Sequence, residues 1–140
     1  MKKSLLCGLL LLAGCTSINV KPLALDTGAA PKHVCIQYNP AVAVNDFLSV
    51  VTAGFERHGI KADVYKDNTP PDCQYTMTYT ATRNWDIVPY MNHAELHIFK
   101  DGKQVAEAEY THHGGFALTK YASNEEKMTP VIDELLAGIK

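Results

Sequence analysis

The chain of 140 residues contains one tryptophan, no C-x-x-C pair, no G-x-S-x-G and no H-E-x-x-H. Those absences remove the local signatures of a thiol redox centre, a serine hydrolase elbow and a zinc protease. The segment GGFALTK lacks the spacing of a phosphate-cradling loop. Apolar runs are short as well. Leu5 to Leu12 falls well below the roughly 20 residues that a membrane-spanning helix needs. Positive charge is scarce, with 13 Lys and Arg against 15 Asp and Glu. That balance argues against nucleic acid, whose binding domains are usually strongly basic, and supplies no polybasic patch for anionic lipid.

What is present begins with MKKSLLCGLLLLAGC, in which Lys2 and Lys3 precede the apolar run and small residues close it. This is the plan of a secretory signal. Its end, Leu12-Ala13-Gly14-Cys15, closely resembles the lipobox of bacterial lipoproteins. The resemblance implies cleavage after residue 14 and acylation of Cys15, with palmitate among the acyl groups. It also implies a protein held at a membrane without crossing it, since two or three acyl chains anchor far better than one. Thr16, rather than aspartate, follows Cys15. By the enterobacterial sorting rule this implies the outer membrane, facing the periplasm. Loss of residues 1–14 removes two basic residues and no acidic one, so the mature chain is more acidic still.

The expected organisation is a signal peptide over 1–14, the lipidated cysteine and a tether over 15–32, and one domain over 33–140. Pro22, Gly28, Pro31 and small residues without periodicity mark the tether. Cys35 and Cys73 remain in an oxidising compartment and are expected to form a disulfide; a redox or metal-binding pair is the alternative, without C-x-x-C spacing to support it.

His33 to Tyr38 alternates as a strand. Val44, Phe47, Leu48, Val51 and Phe55 lie on one helical face, with Asn45 as N-cap and Gly59 at the C-terminal end. Ile60 to Lys66 reads as a strand, DNTPPD as a turn, and QYTMTYTATRNW as a long strand with Tyr75, Met77, Tyr79, Ala81 and Trp85 on one face. For the hairpin NHAELHIFKDGKQVAEAEYTHHGG, a three-residue loop Lys100-Asp101-Gly102 with a left-handed glycine segregates the faces. It pairs Phe99 with Lys103 and His93 with Glu109. A helix from Thr129, with Pro130 in its first turn, runs to about Ile139. Ser123 and Glu126 have capping-box spacing for a separate short turn before it.

The expected fold is α+β: a two-layer sandwich of a mostly antiparallel four- to five-stranded sheet with two helices on one face, in the order β-α-β-β-β-β-α. That order is similar to the small domain of several envelope lipoproteins and periplasmic proteins, among them the TolB N-terminal domain, CsgG and penicillin-binding-protein activator lipoproteins. The likeness covers about 33–139, rests on topology alone and carries no functional residue across.

Two surfaces draw notice. His93, Glu95, His97, Glu107 and Glu109 fall on the wet face of the hairpin, where His93, His97 and Glu109 are weak candidates to ligate a metal. Zinc wants ligand atoms near 2 Å and sheltered, so a solvated face is the favoured reading and no cofactor is expected. At one end of the sheet, Trp85, Asp86, Tyr90, His112, His113, Lys120 and Tyr121 should gather in neighbouring loops. Aromatics and cations on loops held by a rigid sheet suit recognition. Distant residues could still assemble a catalytic dyad, such as His112 with Asp86. The expectation is a lipid-anchored, non-catalytic interaction module in envelope assembly or maintenance, partnered by another envelope protein. The alternative is a small-ligand or metal-binding lipoprotein using the hairpin histidines.

Overall fold

A computed structural model describes residues 16–25 and 30–139. The expected signal peptide, lipobox and Cys15 lie outside the described residues. Apolar residues alternate along strands and recur at helical spacing in two segments, and these build an α+β domain with one six-stranded mixed sheet and both helices on its apolar face. The strands are β1 (Thr16–Lys21), β2 (His33–Gln37), β3 (Lys61–Tyr65), β4 (Tyr75–Asp86), β5 (Val88–Lys100) and β6 (Lys103–His112); the helices are α1 (Phe47–Arg57) and α2 (Asn124–Leu135). Across the sheet the order is β1-β6-β5-β4-β2-β3.

The sheet is larger and less antiparallel than expected. β2 pairs in parallel with both β3 and β4, because α1 carries the chain back over the sheet between β2 and β3 and the segment 66–74 returns it again before β4. The stretch taken as tether supplies an edge strand: β1 lies antiparallel to β6, and Leu23 beyond it is buried, its N–H donating to the Leu135 carbonyl at 2.9 Å. The β1 segment is short and polar on alternate positions, and its strand pairing comes from a partner nearly a hundred residues away.

α1 begins after Asp46 rather than Asn45, with no side-chain cap. Its other end is as expected. Gly59 adopts φ +76°, and its N–H and that of Ile60 return to the Glu56 and Phe55 carbonyls at 2.9 and 3.1 Å, a Schellman closure. α2 starts earlier than expected. Ser123 and Glu126 form a reciprocal capping box on the main helix itself, and Pro130 sits inside it. Proline forfeits one helical hydrogen bond at a cost of about 3 kcal/mol. Here it faces solvent, and burial of Met128, Val131, Ile132 and Leu135 on the opposite face offsets that loss.

The β5–β6 hairpin separates its faces by a different device from the one expected. Lys100 pairs with Lys103 across a two-residue turn in which Asp101 (φ +50°) and Gly102 (φ +80°) are both left-handed. A bulge at Val105 then shifts the pairing, so that Ala94, Leu96 and Ile98 meet Tyr110, Ala108 and Ala106. His93 therefore faces Thr111, and Glu95 faces Glu109. A second irregularity, at Asn92, shifts the β4–β5 register between Thr82 and Arg83. Beyond it the two strands run past the end of β6 as an arm. Trp85, expected on the core face, is exposed there because no helix reaches that far.

Candidate functional site

Tyr90 organises the end of the sheet from which the arm springs. Its ring meets His112 and Tyr121 edge-on, with centroids 5.8 and 6.0 Å away, and the ammonium groups of Lys120 and Lys127 lie 5.8 and 5.6 Å from its centre. Cations at that range over an aromatic face are attracted by its quadrupole. Lys120, in the 3-10 turn Leu118–Tyr121, is buried; it pairs with the Asp86 carboxylate and donates to the Gly115 carbonyl at 3.2 Å. The Tyr121 hydroxyl donates to the Asp86 carbonyl at 2.7 Å. Thus Asp86 fastens the post-β6 loop to the arm.

Lys127, from α2, is the residue that sequence reasoning missed. It is buried and donates to the Met91 carbonyl at 3.1 Å and the Lys120 carbonyl at 2.5 Å, locking helix, arm and loop together. Burial pushes its pKa down. Its one sequence signal is a charge beside the apolar stripe of α2.

His112 closes the cluster toward β1. Its Nδ1 lies 3.2 Å from the Thr16 hydroxyl, while its buried Nε2 has no partner among the described residues. Burial lowers its pKa, and the charges of Lys127, Lys120 and His113 act in the same direction. His113 is exposed, its Nε2 2.9 Å from the Ser17 hydroxyl. The structure therefore unites Asp86, Tyr90, His112, Lys120 and Tyr121, leaves Trp85 out on the arm, and turns His113 aside. His112 and Asp86 make no dyad: the Asp86 carboxylate is paired with Lys120, and the hydrogen bond of the imidazole is to Thr16. A cleft of about 300 Å³ opens beside the cluster, lined in part by Asn45, Arg83, Tyr90, Tyr121 and Asn124.

On the wet face, both oxygens of Glu95 are taken, by His93 Nε2 at 2.8 Å and His97 Nε2 at 3.1 Å. These hydrogen bonds hold Glu95 below the usual carboxylate range. Glu109 stays 3.9 Å from His93. The three side chains form a zipper along the strand, with the histidine nitrogens aimed at a carboxylate rather than at a shared point. Among the described residues, the group whose ligand-type atoms do converge is His33, Cys35 and Cys73. A disulfide joins Cys35 to Cys73, so those sulfurs are already bonded to each other.

No family model matches the chain, and no curated protein matches it in sequence. Solved structures do. The PelC dodecamer from Paraburkholderia phytofirmans superimposes with a TM-score of 0.56 at 12% identity, over 89% of this chain and 96% of that one. A second dodecamer structure, of a leucine-to-methionine variant of PelC from the same organism, gives 0.53 at 11% identity, over 83% and 96%. The likeness is one of fold.

Proposed function

We propose that this chain is a lipid-anchored, non-catalytic interaction module of the bacterial cell envelope, acting in assembly or maintenance. Acyl groups on Cys15 hold it at the outer membrane, facing the periplasm. The observation that carries the reading is the Tyr90 cluster: aromatic rings and two buried lysines, braced from three directions, opening onto a cleft without a nucleophile and base in contact. Rigid aromatics at a cleft are the usual anchors of a protein interface. The alternative, metal or small-ligand binding by the hairpin histidines, is weaker because Glu95 holds the Nε2 of both rings and Thr111 meets the Nδ1 of His93.

The test is photocrosslinking in cells with a reactive residue at Asn45, on the cleft, and a control at Thr78 in the middle of β4. Capture of one envelope protein from Asn45, lost in Tyr121→Ala, is the expected result. Equal capture at both positions overturns the reading. Labelled palmitate should enter the wild-type chain and be absent from Cys15→Ser.

A further inference from the structure

The cluster leaves the apolar tips of the same end unexplained. Trp85 is 71% exposed, Ile87 81%, Val88 48% and Leu118 79%, and Phe116 is fully exposed. Five large apolar side chains at the tip of the β4–β5 arm and in the neighbouring post-β6 loop are more than scattered surface residues, which occur singly and need no account. The two are held as a unit, because Lys120 and Tyr121 from the loop are bonded to Asp86 in the arm. Along Asn84 to Pro89 the one charge is that of Asp86, which Lys120 offsets; along His113 to Thr119 His113 is the sole titratable side chain.

The start of β1 indicates what covers these tips. Thr16 stands opposite His112, at the end of the sheet from which the arm projects. A residue joined to it by a peptide bond has its Cα about 3.8 Å away. If Cys15 is acylated, Thr16 and the root of the arm are held close to the lipid, with no tether between anchor and β1.

We infer that the tips of the β4–β5 arm and the post-β6 loop enter the lipid leaflet that holds the Cys15 acyl chains. The inference rests on acylation of Cys15 and assigns the bilayer, rather than a protein, to this part of the surface. The dimensions agree. His93 pairs with Thr111, so Asn92 is level with His112 and Ile87 lies some five residues farther out. At about 3.3 Å per residue the arm reaches roughly 15 Å beyond Thr16. A headgroup layer takes up about 5–7 Å of that. The remainder places the tip at the depth of about 5–10 Å to which apolar faces of membrane-surface elements sink. Tryptophan and an adjacent arginine, Trp85 with Arg83 two residues back, suit the interface itself.

Trp85 is the chain's only tryptophan, so its emission reports this site alone. The full-length, processed protein is reconstituted in vesicles of phosphatidylethanolamine and phosphatidylglycerol, with and without brominated acyl chains. Mass spectrometry establishes whether Cys15 is acylated. In the expected result Trp85 emission shifts to shorter wavelength, loses most of its intensity to the brominated lipid and becomes insensitive to acrylamide. Ile87→Ser with Phe116→Ser reverses these changes without unfolding the domain, since both side chains are exposed. In Trp85→Phe with Thr78→Trp, emission stays open to acrylamide and unaffected by bromine. An acylated protein whose Trp85 ignores brominated lipid overturns the inference while leaving the anchor intact. If such a Trp85 is also shielded from acrylamide, a protein covers the tips. Equal quenching at positions 85 and 78 overturns it too, as unspecific adsorption. An unacylated Cys15 removes both the anchor and this inference.

Discussion

Thr16 opens β1 directly opposite His112, the last residue of β6, with its hydroxyl 3.2 Å from the imidazole Nδ1. This contact joins the first described residue to the Tyr90 cluster, so the start of β1, the arm and the post-β6 loop share one end of the sheet.

His112 makes stability depend on pH. Its folded pKa lies below the ordinary value, so between the two the unfolded chain binds more protons and stability rises with pH. Protonation puts a cation near Lys120, Lys127 and His113. Urea unfolding should therefore show stability falling as pH drops through about 6.5, the value of an unperturbed histidine. His112→Gln should flatten that slope. The carboxylates with lowered pKa values, Glu95, Asp63 and Asp133, lose their contribution only at lower pH, through the acid range.

Ile87 occupies the arm's tip at φ +63°, where a β-branched side chain is strained. Left-handed backbone costs an L-residue about 1–2 kcal/mol, and asparagine much less. Ile87→Asn should raise unfolding stability by about 1 kcal/mol. The same variant should weaken quenching of Trp85 by brominated lipid. Equal stability of the two proteins would show that the tip carries no strain.

Leu23 docks the chain after β1 beneath the end of α2. A Cβ at Gly138 would meet the Leu23 carbonyl oxygen at 2.9 Å, and backbone cannot step aside. Gly138→Ala should cost about 1–3 kcal/mol, as overpacking does. At Gly54 the obstacles are the Cδ1 and Cγ2 methyls of Ile132 at 2.6 and 3.2 Å, both on one side chain. Gly54→Ala gains about 1 kcal/mol of helix propensity against about 0.5–1.5 kcal/mol for a displaced rotamer. It should be near neutral by thermal melting, and a loss as large as that of Gly138→Ala would refute the distinction.

The Cys35–Cys73 bridge spans 38 residues. Closing a loop of that length constrains the unfolded chain by about 4 kcal/mol in the entropy model. Cys35→Ala with Cys73→Ala should lower the urea midpoint accordingly, and reductant should then have no further effect.

Much of the fold was legible because short-range chemistry wrote it. The alternation in β4, the glycine closing α1 and the segregation of Ala94, Leu96 and Ile98 from His93, Glu95 and His97 each depend on neighbours along the chain. The hairpin faces were readable even though the loop was not, because a two-residue shift of register preserves which side each residue takes. β1 was not legible: six residues of mixed polarity become a strand only against β6. Pro130 misled for a similar reason, since burial of α2 outweighs a local penalty.

The candidate site divides along the same line. Turn positions in an antiparallel meander were enough to bring Asp86, Tyr90, His112, Lys120 and Tyr121 to one end. Lys127 could not be placed there from sequence, because its ammonium satisfies carbonyls on two other elements. Nor were Ile87, Val88, Phe116 and Leu118 recognisable as exposed, since apolar side chains read as core until the packing shows that no helix covers them. By itself, the sequence determined the glycine that closes α1, the strand faces and the cysteines available for pairing, because these follow from periodicity and local hydrogen bonding. Only the tertiary structure decided that Thr16 sits beside His112 and that the arm outruns the helices, because those facts depend on which distant surfaces exclude water together.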